Sequence, residues 1–319
     1  MRKKEPLVSI LVPCFNHEKF IGDCLNSIVS QDYDNIEVLV SDDCSIDKSW
    51  NIIERFEEIL NKRFDNVILL KNDKNVGIVK NYNKLLKKAS GELIKSIAGD
   101  DALTPSCISE FVKCSIDNPE YGVVVCNGYI ISEEVHFPFN KYEGLFYDNK
   151  VNFSTGCLFE RLYCDNFVFA PGVLLRRDIF EQFGYYDEKI GIEDWDYWLK
   201  LSKDNQVMFG YLNQCLVYYR KNTGSITSLT NNHDLERRRL NVHNAEMCIL
   251  DKYGVFVSRS IYATQKWNRI ESECVIAHEN DLRELKRILK SEIEGFNMWA
   301  DISLKRRLKI FLRRIRSRF

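Results

Sequence analysis

The sequence predicts an α/β fold, an open and mostly parallel sheet flanked by helices. Three observations point there. Through roughly the first 126 residues, short apolar β-type runs alternate with stretches of helical periodicity, the pattern that right-handed βαβ crossovers produce. The runs are continuously apolar, as in Leu7-Val8-Ser9-Ile10-Leu11-Val12, which suits strands covered on both faces. The runs also stop at polar loops, two of which carry adjacent aspartates, at the sheet edge where such folds bind ligands.

The first strand, 7–12, ends at Pro13, and Cys14-Phe15-Asn16-His17-Glu18 is a polar loop. Phe20, Ile21, Cys24, Leu25 and Ile28 then recur at helical spacing and predict an amphipathic helix over 18–30. A second strand, 36–40, stops at Ser41-Asp42-Asp43-Cys44-Ser45-Ile46-Asp47; a helix follows over about 47–60, with Ser45 or Asp47 as N-cap. Val67 to Leu70 is the third strand, and the loop 72–77 leads into a helix that reaches Lys88, with Ser90-Gly91 as its C-cap signal. Leu93, Ile94 and Ile97 mark a fourth strand ending in Gly99-Asp100-Asp101, where Gly99 lets the chain turn. Pro105 opens a helix over 105–117, and a fifth strand covers 122–126. From 127 to 166 the alternation breaks down, and aromatic residues lie among polar ones in a long substrate-side loop region. Residues 167–176 form two apolar pieces about the Pro171-Gly172 bend, and a short helix over 177–183 ends at Gly184. A buried helix begins near Trp195 with Glu193 and Asp194 in its first turn. Residues 207–211 and 212–219 read as two strands, 220–228 as a polar loop, and 231–319 as mostly helical.

Composition narrows the function. The chain has 319 residues, 45% hydrophobic and 29% charged, with a net charge of -1. That balance suits a globular protein with no nucleic-acid partner. Eleven cysteines without a C-x-x-C pair point to reduced thiols in a cytosolic protein rather than a disulfide framework or zinc ribbon. Cys14 and Cys44 read as small apolar side chains, because no histidine has a defined place beside them. Met1 to Glu5 is charged and leads straight into a strand, with no apolar region of signal-peptide length. No run reaches the roughly 18 apolar residues of a membrane-spanning helix. Between Leu304 and Phe319, eight Lys or Arg and no acid surround the apolar stripe Leu304, Leu308, Phe311, Leu312, Ile315 and Phe319. This is the pattern of an interfacial basic helix that meets an anionic membrane; the other reading is a helix packed on its own domain.

The paired acids carry the chemistry. Asp100 and Asp101 repel each other unless a cation or hydrogen-bond donors accept them, so their loop is a candidate divalent-metal and diphosphate site. The alternative is a helix start whose acids favour the helix dipole. Neither G-x-G-x-x-G nor G-x-x-x-x-G-K occurs, which excludes the dinucleotide fingerprint and the P-loop.

Six motifs, in order, resemble the inverting family 2 glycosyltransferases with the GT-A fold. They are Val8-Ser9-Ile10-Leu11-Val12-Pro13-Cys14-Phe15-Asn16; Ser41 to Asp47; Asn75-Val76-Gly77; Gly99-Asp100-Asp101; Arg176 to Phe180 with Phe183-Gly184 and Asp187-Glu188; and Glu193-Asp194-Trp195-Asp196. The resemblance covers roughly residues 6 to 228. It implies a nucleotide-sugar half over 6–126 and an acceptor half over 127–230 of a domain spanning 1–230, followed by a helical extension over 231–319.

It also implies roles. Pro13, Phe15, Glu18 and Asp43 flank the base and ribose of the donor, with Asn75 on the same side; Asp43 as a helix cap is the competing reading. Asp101 is the metal ligand, with Asp100 toward the ribose or a metal-bound water, and the cofactor is Mn2+ or Mg2+. Asp194 is the general base, with Glu193 competing, and both remain readable as N-terminal helix acids. Arg220 and Ser225 are candidates for the diphosphate. The donor is a nucleotide-diphosphate sugar, UDP favoured; the acceptor is a glycan or lipid-linked saccharide at the inner face of a membrane, as in bacterial surface-polysaccharide assembly.

Two positions depart from the resemblance. Similar proteins often carry an arginine where Tyr82 stands, with Lys80 nearby, and a histidine where Asn222 stands; His233 lies outside the motif. The rivals are a nucleotidyltransferase, which needs a basic glycine-rich loop that 13–18 lacks; a glycoside hydrolase using Asp101 and Asp194 as its carboxylate pair; and a binding or membrane-adaptor protein without turnover.

Overall fold

The computed structural model describes residues 5–147, 153, 158–190, 192–221, 245–246 and 248–254. The chain divides into two compact units, one of Met1–Leu162 and Asn166–Asn232, the other of Tyr163–Asp165 and His233–Phe319. In the second unit the Tyr163 hydroxyl donates to the Leu250 carbonyl at 2.9 Å.

The first unit begins with the alternation the apolar runs require: β1 (Val8–Cys14), α1 (Ile21–Val29), β2 (Ile36–Asp42), α2 (Ser49–Arg63), β3 (Asn66–Lys71), α3 (Ile78–Leu86) and β4 (Leu93–Ser96). Then come β5 (Ala102–Leu103), α4 (Cys107–Asp117), β6 (Tyr121–Ser132), β7 (Gly144–Leu145), α5 (Leu158–Cys164), β8 (Val173–Arg176), α6 (Asp178–Phe183), α7 (Glu193–Ser202) and β9 (Met208–Lys221). One sheet runs β3-β2-β1-β4-β8-β6-β9-β5, with β7 on β6. It is parallel from β3 to β4 and mixed beyond, since β8 is antiparallel to β4 and to β6 while β9 is parallel to β6. β1 and β2 are buried throughout, as their unbroken apolar runs demand, and β3 lies at the edge with both ends exposed. Among the described residues no helix is long and apolar enough to cross a membrane.

This topology sets the site. Because β1, β2, β3 and β4 run in parallel, the loops after Cys14, Asp42, Lys71 and Ser96 share one edge. β9 enters the same edge from the far side, where its end pairs with β5 directly after Asp101.

Several local expectations change. Residues 127–132 are strand rather than loop: β6 continues along β9 through register shifts at Cys126, Asn127 and Gly128. The Asn127 side chain stabilises this bulge by exchanging two 2.9 Å bonds with the backbone of Tyr147. The predicted strands 207–211 and 212–219 are one, β9, bent at the same bulges. α5 forms inside the segment read as a loop. Ser90-Gly91 does not cap α3, which stops at Leu86. Its amides serve the buried carboxylate of Glu37 instead, which accepts from Ser90 N, Gly91 N, Ser90 Oγ, Asn66 Nδ2 and Ser9 Oγ. These bonds hold Glu37 below the usual carboxylate range against the opposing effect of burial.

Candidate active site

The first two edge loops are laced together. Asn16 N donates to Ser45 Oγ at 2.8 Å and Ile46 N to Asn16 Oδ1 at 3.0 Å. Glu18 N donates to Asp47 Oδ2 and Lys48 N to Glu18 Oε2, both at 3.0 Å. Asn16 and Cys44 turn with positive φ, 57° and 63°. Asp42 accepts from the amide and hydroxyl of Ser45. Asp43 is buried and organises the third loop, with Oδ1 accepting from Asn72 Nδ2 at 2.8 Å and Val76 N at 2.9 Å, and Oδ2 from Gly77 N at 2.8 Å. Gly77 has φ 89°, so a residue with a Cβ would strain the backbone at the head of α3.

The fourth loop carries Asp100 and Asp101. At Gly99 a Cβ would stand 2.9 Å from His17 Nδ1 and 3.0 Å from Ile21 Cδ1, so these side chains would have to shift to admit one. Asp100 lies 3.9 Å from His17 Nε2. Asp101 is buried, and its Oδ1 accepts from Arg220 N at 2.9 Å. Burial, then the charge of Asp100, push its carboxyl well above the usual range.

Arg220 is 0% exposed along its side chain. Its Nε donates to Asp100 O at 3.0 Å, Nη1 to Ser132 O at 3.1 Å and to Val135 O, and Nη2 to Asp23 Oδ2 at 3.1 Å. The guanidinium also lies 4.7 Å from the centroid of the Phe20 ring. Four of its five N–H groups are thus held by the protein.

α7 presents the second acid pair, both half-buried. Asp194 Oδ1 accepts from Trp195 N at 2.7 Å, and Oδ2 from Asn166 Nδ2 at 3.2 Å. Burial raises the Asp194 carboxyl and, with the charge of Asp194, pushes Glu193 up to about 8. Trp195 anchors the helix through Nε1, which donates to Leu162 O at 2.6 Å. Tyr82, on α3, registers both pairs. Burial, then the charges of Glu193, Asp101, Asp194 and Asp100, raise its phenol.

Such an arrangement suits reactions with a charged leaving group on one side and a proton to be removed on the other. Residues 9–184, more than half of the chain, match the family described as glycosyl transferase family 2. The chain belongs to that family. It is 27% identical over 237 residues to TuaG of Bacillus subtilis, a glycosyltransferase named for teichuronic acid biosynthesis, across 72% of this chain and 84% of that protein. In fold it is similar to S. aureus TarS 1–349 crystallised with UDP-GlcNAc, at TM-score 0.54 and 18% identity over 91% of this chain and 92% of that one. A third likeness is to the mannosyltransferase PcManGT of Pyrobaculum calidifontis in complex with GDP-Man and Mn2+, at TM-score 0.53 and 14% identity over 93% and 88%. The GT-A class expected from the motifs is therefore the fold of this family 2 glycosyltransferase.

The edge of this transferase gathers Pro13, Phe15, Glu18, Asp43, Asn75, Asp100, Asp101 and Arg220 in the described residues; Ser225, Asn222, His233 and the basic segment 304–319 lie outside them. Pro13 is buried in β1, Phe15 is 38% exposed beside it, and Asn75 is exposed. Glu18 caps the start of α2 rather than standing free. Arg220 corrects the sequence reading: its guanidinium is spent on Asp23 and three backbone carbonyls, so it braces the acid loop instead of reaching out to a diphosphate. Asn166 was not singled out in the sequence. It stands 28 positions from Asp194 in what reads as loop, and no local pattern links the two. Cys14 is buried, and burial pushes its thiol up, away from the thiolate form.

Asp100 and Asp101 fit a divalent cation. They are adjacent hard oxygen donors, and the charge of Asp100 drives buried Asp101 toward protonation, a conflict that a cation resolves. Among the described residues no three His, Cys, Asp or Glu side chains gather to hold a metal ion, so substrate phosphate oxygens would complete the shell, as is usual for Mg2+.

Proposed function

We propose that this transferase moves a glycosyl group from a nucleotide-diphosphate sugar, UDP favoured, to a hydroxyl of a glycan or lipid-linked saccharide in bacterial surface-polysaccharide assembly, inverting the anomeric centre. The observation that carries the reading is that this family 2 chain holds two acid pairs, Asp100-Asp101 in the loop between β4 and β5 and Glu193-Asp194 at the head of α7. The surface-polymer context rests on the name of the teichuronic acid relative. UDP follows the nucleotide bound by the TarS neighbour.

Asp194 takes the proton of the acceptor hydroxyl. The acceptor oxygen then bonds to the anomeric carbon, and the bond from that carbon to the diphosphate breaks, its electron pair leaving with the nucleoside diphosphate. Burial raises the basicity of Asp194, while Asn166 and the Trp195 amide hold its two oxygens in place. Pro13, Phe15, Asp43 and Asn75 form the base and ribose side. Glu18 and Arg220 act through the loops they hold. Asp101, with Asp100, would hold Mn2+ or Mg2+, which supplies Lewis-acid neutralisation of the departing diphosphate when bound.

A panel of nucleotide sugars with and without Mn2+, read by thermal shift and then by transfer, tests the reading. Asp194→Asn should abolish transfer while keeping nucleotide-sugar binding, and NMR of the product should show an inverted anomeric centre. Transfer by the Asn variant at the wild-type rate would remove Asp194 from the role of base. A retained configuration would remove single displacement.

The reading includes membrane contact through 304–319, supported by its eight cations around an apolar stripe. A chain ending at residue 303 should lose binding to phosphatidylserine vesicles; equal binding would sink this part.

A further inference from the structure

Tyr82 stands on α3 between two latches. Before it, Asn81 donates to Ser41 O at 2.9 Å and accepts from Ser41 Oγ at 2.6 Å, tying the helix to the end of β2. After it, Asn83 donates to Tyr186 O at 3.0 Å and Glu188 Oε1 at 3.2 Å, and accepts from Tyr186 N at 3.2 Å. That second latch ties the same helix to the segment leading into α7. The Tyr82 ring lies edge-on to Tyr186, with centroids 6.0 Å apart. Three consecutive residues therefore span from the donor edge to the arm that carries Asp194. The one in the middle has a half-buried side chain whose hydroxyl finds no hydrogen-bond partner among the described residues.

We propose that Tyr82 is a specificity-determining contact whose phenol hydrogen-bonds a hydroxyl of the transferred sugar. The inference rests on the transferase reading above. In a single displacement the anomeric carbon lies between the leaving diphosphate, on the Asp100 and Asp101 side, and the acceptor oxygen, on the Asp194 side. A residue on the helix latched both to the donor edge and to the segment leading to Asp194 faces the sugar rather than the nucleobase. A phenol suits that place: it both donates and accepts, as a sugar hydroxyl does. Burial, and then the carboxylate charges, keep it in the neutral, donating form.

The test uses the full chain, wild type and Tyr82→Phe, with a donor found active in the panel. Phenylalanine keeps the ring against Tyr186, so the thermal midpoint should not move. The kcat/KM for the donor should fall about tenfold, the loss expected for one substrate hydroxyl left unpaired. Discrimination among epimeric donor sugars should narrow, while the affinity for the nucleoside diphosphate alone, by calorimetry, stays within about twofold. Wild-type kcat/KM and donor preference in the variant would overturn the proposal. So would a loss of nucleoside-diphosphate affinity as large as the loss of kcat/KM, which places the hydroxyl on the diphosphate. If the wild-type chain transfers from no donor, the transferase reading itself fails, an outcome distinct from a silent Tyr82→Phe.

Discussion

The backbone N–H of Arg220 donates to Oδ1 of Asp101 at 2.9 Å, across 119 positions of sequence. The same residue donates from Nε to the carbonyl of Asp100 at 3.0 Å. One residue near the end of β9 thus grips both a side chain and the backbone of the acid loop. The loop's position is decided by the strand that closes the far side of the sheet. The guanidinium is in turn fixed by Asp23, by the carbonyls of Ser132 and Val135, and by the face of Phe20.

Arg220→Lys keeps the charge but loses the planar fork and the stacking. It should destabilise the protein by about 3 kcal/mol, since Asp23 and the carbonyls lose buried donors. A urea titration with unchanged slope and a lowered midpoint would show this. An unchanged midpoint would mean that the brace contributes nothing.

Asn166→Ala removes the N–H that donates to Asp194 Oδ2. That bond favours the charged carboxylate, so its loss raises the Asp194 pKa further. A general base works deprotonated. The acid limb of kcat/KM against pH should therefore move to higher pH, with the alkaline limb in place. A limb that stays put, or moves down, would separate Asn166 from the base.

Burial, then the charge of Asp194, push the Glu193 carboxyl up to about 8 from an ordinary value of 4.5. The folded state then binds the proton more tightly than the unfolded state does. Stability should decline as pH rises from about 4.5 to about 8 and level off above. Glu193→Gln, which cannot ionise, should lessen that decline and leave the part due to Asp101 and Asp194. Thermal midpoints of both proteins across pH 4 to 9 decide it, and parallel curves would refute the raised carboxyl.

Much of the fold is legible in short windows of sequence. The unbroken apolar runs of β1 and β2 mark buried parallel strands, and the spacing of Ile21, Cys24, Leu25 and Ile28 marks the inner face of α1. Both signals are local, so neighbouring side chains suffice to set them. Asp42-Asp43 and Asp100-Asp101 were readable for the same reason, each lying at or shortly past a strand end. β6 was not readable past Cys126, because Asn127 and Gly128 carry the local signature of a turn; the ladder to β9, the two bonds to Tyr147 and the bond from Phe146 N to Gly128 O keep them in a strand.

By itself the sequence determined the alternation, the order of the edge loops and the two acid pairs, all encoded within a few residues of one another. Tertiary structure alone decided how those acids are used. It assigned Arg220 to brace the acid loop, paired Asn166 with Asp194 and latched the helix of Tyr82 to both the end of β2 and the segment before α7. Each of these depends on which distant backbone or side chain offers a donor at hydrogen-bond distance. That is settled by closing loops and packing a single sheet, and no local periodicity records it.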